Sequence, residues 1–184
     1  MKALKAVLLA TAIGASALAA AVPLKTDPAK SSVSAVFKQM NVPVEAPFRS
    51  FSASIDYDAA KPAASKASVE INTASFDIGD PMYNKEVAKK DWFNSAQFPK
   101  ASFVSTSIAP AGAGKLNVSG KLTMKGRTAN VTFPLTVKAE GGKQVFEGQL
   151  PIKRLAFNIG EGEWKDTSMV ADEVVIKFRV TAAP

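Results

Sequence analysis

The chain has 184 residues, with 23 Lys plus Arg against 16 Asp plus Glu and neither His nor Cys, which gives a net charge of +7 and the length of one domain. The missing side chains exclude disulfide bracing, a zinc site of nitrogen and sulfur ligands, a cysteine nucleophile and an ordinary Ser-His-Asp triad. Only four residues are arginine (Arg49, Arg127, Arg154, Arg179) and the lysines are scattered, which argues against nucleic acid and leaves attraction to an anionic membrane surface or head group open.

Lys2 and Lys5 precede an apolar, alanine-rich run from Ala6 to Ala20, and Ala17-Leu18-Ala19 has the small-x-small pattern that signal peptidase reads. Residues 1–19 are therefore predicted to be a secretory signal peptide, with cleavage after Ala21 equally readable. Residues 20–184 form the mature domain. This predicts an exported, periplasmic protein whose mature form has no transmembrane span. Residues 20–30 read as a polar lead-in ending at Asp27-Pro28.

Beyond that point apolar side chains recur at every second residue, the period of a strand with one buried face. Ser31–Gln39 places Val33, Ala35 and Phe37 on one side. After the punctuation of Pro43 and Pro47, Phe48–Tyr57 and Ala67–Thr73 read as the next strands. Ala101–Ile108 and Lys115–Lys125 are joined by a glycine-rich hairpin loop, and Gly126 and Gly141-Gly142 turn into Val131–Val137 and Lys143–Ile152. The tail alternates most strictly, with Val174, Ile176, Phe178 and Val180 opposed to Val175, Lys177 and Arg179. About eight antiparallel strands with short turns predict an all-β, up-and-down barrel.

One segment breaks the period. Asp80-Pro81 reads as an N-cap followed by proline at the first helical position, and Glu86 with Lys90 as an i, i+4 ion pair. A short helix is thus expected near one end, with Asp80–Phe98 covering the mouth, Trp92 and Phe93 anchored in the barrel and the residues around Met82 forming an adjustable rim. Lys85, Lys89 and Lys90 are the cations available to an anionic head group. Asp56 and Asp58 share a strand face opposite Ile55 and Tyr57, so they are expected to be solvated carboxylates beside a turn and not a catalytic pair.

The large apolar residues are the candidate site. Phe37, Tyr57, Phe76, Phe103, Met124, Phe133, Phe157 and Trp164 are placed to line a cavity that Met82, Tyr83, Trp92 and Phe93 would close. The same side chains could instead fill a solid core.

Several stretches carry a resemblance. Ser31-Ser32-Val33, Phe48-Arg49-Ser50-Phe51, Asp91-Trp92-Phe93, Phe98-Pro99, Gly120 to Thr123 with Gly126, Ile152-Lys153-Arg154 with Phe157, and Asp172-Glu173-Val174 follow one another in the order and spacing of the YceI-like family. The chain resembles that family over residues 27–182. The resemblance implies an extended lipocalin-like barrel that binds a polyisoprenoid or other amphiphilic lipid, with no cofactor, no enzymatic activity and a homodimer as an option. It favours the cavity over the solid core, whose counterpart would be a structural or stress-related interaction protein. Lys30, Gln39, Glu86 and Lys125 stand where many members carry histidine, and Asn158 where glycine is common. The implied consequence is a different ligand selectivity at the mouth.

Overall fold

The computed structural model describes residues 22–184. The expected signal peptide at residues 1–19 lies outside the described residues. Ten strands occur among them: β1 (Val22–Thr26), β2 (Ser32–Gln39), β3 (Val42–Pro47), β4 (Phe51–Tyr57), β5 (Lys66–Asn72), β6 (Lys100–Pro110), β7 (Lys115–Met124), β8 (Arg127–Glu140), β9 (Lys143–Lys153) and β10 (Val170–Ala183). All the pairings are antiparallel, in the order β1-β4-β5-β6-β7-β8-β9-β10, and β10 returns to β1 through Lys25↔Ala183 and Thr26↔Ala182. Eight strands, β1 and β4 to β10, therefore close a barrel; the alternation predicts a barrel of this size, with β2 in the ring where the structure has β1.

Two strands were not legible in sequence. Residues 22–26, expected as a polar lead-in, form β1 and seal the ring. Val42–Pro47, expected as a proline-marked break, forms β3, which pairs with β2 from Ser34↔Pro47 to Gln39↔Val42. Pro43 and Pro47 are tolerated because β3 lies at the end of the sheet order, where a missing N–H breaks little of the ladder. The β2–β3 hairpin extends the wall beside the first half of β10. It is then tied to residues 75–77 by Arg49 N–H to Ser75 O (2.9 Å), Asp77 N–H to Pro47 O (2.9 Å) and the Phe48↔Phe76 bridge.

The tail has the expected register. Val174 and Val180 are buried, Ile176 and Phe178 pack against the core, and Lys177 is exposed. On the outer face Lys177 pairs with Glu45 at 3.3 Å, and Arg179 with Glu140 at 3.1 Å and with Glu147. Along β7 the buried Leu116, Val118, Leu122 and Met124 alternate with Asn117, Ser119, Lys121 and Thr123. Met40-Asn41 and Lys125-Gly126 are two-residue turns with positive φ at both positions, the geometry whose twist matches that of the paired strands.

Gly120 and Gly148 shape the wall in another way. A Cβ on Gly120 would lie 2.5 Å from the Phe103 ring and 2.5 Å from the Val104 carbonyl oxygen, and one on Gly148 would lie 2.4 Å from Phe178 Cζ. Each glycine leaves room for a ring from the adjoining strand to lie against the backbone. Phe133 touches both rings edge-on, at centroid distances of 5.4 Å to Phe103 and 5.5 Å to Phe178.

Helix α1 spans Pro81–Val87, with the Asp80 carboxylate accepting from Met82 N–H (2.7 Å) and Tyr83 N–H (3.4 Å). The expected Glu86–Lys90 pair is replaced by Glu86–Lys89 at 2.6 Å, because the helix ends at Val87 and the chain turns away before Lys90 can lie over Glu86. Among the described residues no helix is long and apolar enough to cross a membrane.

Asp77 holds this helix to the hairpin seam. Its Oδ1 accepts from Asn84 Nδ2 (2.9 Å) and Gly79 N–H (2.9 Å), and its Oδ2 from Arg49 Nε (3.0 Å). These bonds, led by that from Asn84, lower its pKa from 3.8 to about 2. A carboxyl whose pKa is depressed on folding contributes stability that is complete above 3.8 and is lost as the pH falls towards 2. Acid titration across that window is expected to loosen α1 from the seam before the barrel unfolds. The protection of residues 77–87, taken as amide exchange relative to each amide's intrinsic rate at that pH, should therefore fall in the wild type, and Asp77→Asn should show the lower protection already at neutral pH with no further acid step. A wild-type profile that is flat between these values would remove Asp77 as the link.

Candidate apolar binding site

Two apolar cavities lie inside the barrel. The outer one, about 110 Å³, lies beneath α1 and is walled by Phe37, Phe76, Trp92, Phe93, Met124, Trp164 and aliphatic residues of β9 and β10, with Gln39, Tyr83 and Glu86 among its lining. The inner one, about 130 Å³, fills the part of the barrel walled by Tyr57, Phe103, Leu116, Val118, Phe133, Phe146 and Phe178. Apolar cavities of this size, on the order of 150 Å³, stay dry and accept apolar guests.

The structure distributes the candidate residues between these spaces. Phe37, Phe76, Tyr83, Trp92 and Trp164 line the outer cavity, Tyr57, Phe103 and Phe133 the inner, and Phe93 and Met124 both. Phe157 lines neither, because it closes the short turn Arg154–Phe157 and is packed into the core. Met82 lines neither as well. It stands 76% exposed on the outer side of α1, while Tyr83, one residue on and 53% exposed, reaches the cavity edge. As expected, Trp92 and Phe93 are buried beneath the helix segment.

The aromatic cluster at the mouth is interlocked. Phe76 meets Phe48 at 5.4 Å and Phe93 at 5.8 Å, Phe48 meets Phe93 at 5.9 Å, and Trp92 lies 5.3 Å from Trp164. Such contacts add roughly 0.5–1.5 kcal/mol each beyond burial and fix the rings' orientations. The Trp92 Nε1–H is buried with no protein acceptor.

Arg154 is the polar residue that sequence reasoning missed as a structural centre. It is 2% exposed. Its guanidinium donates to the carbonyl oxygens of Ala171 (3.1 Å), Ile159 (2.9 Å), Gly160 (3.2 Å), Trp164 (2.6 Å) and Val170 (2.7 Å), and lies 5.5 Å from the centre of the Trp92 ring. Burial lowers its pKa from the ordinary arginine value, and the Asp172 carboxylate opposes that shift. The available signal was parity: Phe146, Gly148, Leu150 and Ile152 point inward along β9, and the same step reaches Arg154.

Lys125 is a second clamp at this end. Its side chain is only 6% exposed, and its Nζ donates to Lys90 O (2.7 Å), Asn158 O (2.7 Å) and Glu161 Oε2 (2.9 Å). The ammonium holds Glu161 below the usual carboxylate range. Asn158 has φ 57° at the end of the Arg154–Phe157 turn, a left-handed conformation that asparagine tolerates better than most side chains. Gln39 and Glu86 do stand at the mouth, and Lys125 braces it from behind.

Asp58 departs from expectation. It is 8% exposed, not solvated, because β4 ends at Tyr57 and the strand parity ends with it. Its Oδ1 accepts from Ala60 N–H (2.9 Å) and Lys61 N–H (3.0 Å), and its own N–H donates to Ser65 Oγ (3.0 Å), so it organises the turn. Burial, and then the Asp58 charge, raise the pKa of the Tyr57 phenol.

Residues 24–182 match the YceI-like domain. The chain belongs to the YceI-like family. A UPF0312 protein of Shewanella sp. is 41% identical over 104 residues, covering 56% of this chain and 51% of that one. A UPF0312 protein of Pseudomonas putida is 40% identical over 94 residues, covering 51% and 49%. The chain spans about half the length of these curated relatives. Among solved structures, BcnA of Burkholderia cenocepacia superposes with a TM-score of 0.84 at 58% identity, covering 85% of this chain and 99% of that one. A polyisoprenoid binding domain from Saccharophagus degradans superposes with a TM-score of 0.71 at 17% identity, covering 89% and 99%, which is a likeness of fold.

Proposed function

We propose that this YceI-like protein is a non-enzymatic periplasmic carrier that sequesters the chain of a long amphiphile, a polyisoprenoid or fatty-acyl lipid, in its barrel. The observation that carries the reading is the lining: two successive cavities walled mostly by aromatic and aliphatic side chains, with the polar Gln39, Tyr83 and Glu86 and the buried Arg154 in the lining of the outer one. Each buried methylene contributes about 0.8 kcal/mol, so ten give about 8 kcal/mol before association costs. Micromolar binding then needs a longer chain or a held head group. Lys85 and Lys90, exposed beside the mouth, suit an anionic head, and Lys89 is shared with Glu86.

Met40, Val42, Met82, Tyr83 and Met169 are exposed apolar residues on the segments that frame this end, and the Met40 N–H donates to Met169 O at 2.9 Å. An apolar rim of this kind suits transient contact with the membrane from which a lipid is taken.

Mass spectrometry of an organic extract of the purified protein is expected to find a long-chain lipid. In a Trp164→Phe variant, where Trp92 is the sole tryptophan, titration with that lipid should change the emission. An extract free of lipid, with no uptake of added prenyl or acyl chains, would sink the carrier and leave an interaction protein.

A further inference from the structure

The two cavities meet at four side chains. Phe48, Phe93, Met124 and Ile176 line both. Three of them are buried, and Ile176 packs against the same core cluster. We infer that these residues form a septum that divides the barrel into an outer and an inner chamber and makes the protein discriminate its ligands by chain length. The inference rests on the carrier reading and adds to it the length selection.

The septum has a hard side and a soft side. Phe48 and Phe93 are held edge-on to each other at 5.9 Å and both are braced by Phe76, so neither ring turns without disturbing the other two. Met124, at the end of β7, is unbranched and adaptable, and Ile176 faces the cavities from the middle of β10. A chain that outgrows the outer chamber passes between Met124 and Ile176. Up to that length each added methylene is buried without cost to the protein. At that length the next carbons must first displace the Met124 side chain, and only beyond it does the inner chamber reward further growth.

The test is calorimetric titration of the purified protein with linear saturated fatty acids from about eight to eighteen carbons, the head group held constant. In the wild type the Kd should fall roughly fourfold per methylene over the shorter acids. It should then stay level across about two to four carbons before falling again. Met124→Ala should erase the level stretch, so that the Kd falls steadily with chain length across the whole series, whatever change the loss of its outer-chamber contact brings to the shorter acids. Ile176→Phe thickens the septum, and should weaken the longer acids by about tenfold relative to the shorter ones. Far-ultraviolet circular dichroism confirms that each variant is folded, and Ile176→Leu with Met124→Val repeats the contrast should either first variant fail to fold. A smooth wild-type series, or variants that shift every length by one common factor, would overturn the septum and leave the carrier standing. A folded wild type that binds no acid or prenol of any length would overturn the carrier and the septum together.

Discussion

Replacing Arg154 by alanine is expected to destabilise the protein by about 3 to 5 kcal/mol, the range in which removing one partner from a buried charged network falls. Five backbone carbonyls, those of Ile159, Gly160, Trp164, Val170 and Ala171, lose their donor at once. No side chain already in place can substitute, because the guanidinium supplies donors in one fixed plane to acceptors spread over thirteen residues of loop. For the same reason Arg154→Lys should recover little, since an ammonium has three donors and no planar fork. Local consequences should exceed the global ones. The segment from Arg154 to Val170 forms one wall of the outer chamber and carries Trp164 against Trp92, so amide exchange there should accelerate more than in β7 or β8. Urea unfolding of both variants, read by tryptophan emission, measures the first effect. A loss below about 1 kcal/mol for Arg154→Ala would show that water can replace the guanidinium and that the loop is held by something else.

This residue also marks the boundary of what the sequence discloses. Strand alternation is enforced by burial, so β2 and β4 to β10 could be read from apolar side chains at every second position, and the barrel from their number and short turns. β1 and β3 escaped because their pairing is decided elsewhere in the chain. Val22–Thr26 is made a strand by Tyr57, Ile55 and Ala183, and the prolines of Val42–Pro47 are tolerated only because the segment ends the sheet. Asp58 looked solvated while strand parity was extended one residue past the point where the strand stops. At the site, Trp92, Phe93 and Phe133 were legible because large apolar residues on an inward face have few places to go. The division into two chambers was not, since it depends on Phe48, Met124 and Ile176, drawn from distant parts of the chain, lining both cavities at once.

Gly120→Ala and Gly148→Ala are expected to differ although both glycines lie within strands of the same wall, and the difference follows from what each Cβ would meet. At Gly148 the obstacle is Phe178 Cζ at 2.4 Å, with Cε1 and Cε2 at 3.1 Å, all at the far end of a side chain that faces the inner chamber. That ring can tilt into free space, so a cost of about 1 kcal/mol is expected, together with a smaller chamber and weaker uptake of long chains. At Gly120 the obstacle includes the Val104 carbonyl oxygen at 2.5 Å, which belongs to the backbone of the paired strand and cannot move alone. The Phe103 ring also lies at 2.5 Å, but like Phe178 it is packed edge-on against Phe133 and lines the inner chamber, so the backbone carbonyl alone sets the two sites apart. Relief then requires β6 and β7 to separate next to the irregularity between Ser105 and Ser107, where the ladder is already interrupted. A loss of about 3 kcal/mol or more is therefore expected for Gly120→Ala, at the upper end of overpacking costs. Urea titrations of the two variants side by side test the ordering. Equal and small losses would mean that β6 and β7 relax together at little cost, whereas a larger loss at Gly148 would place the rigid contact on the Phe178 side of the barrel.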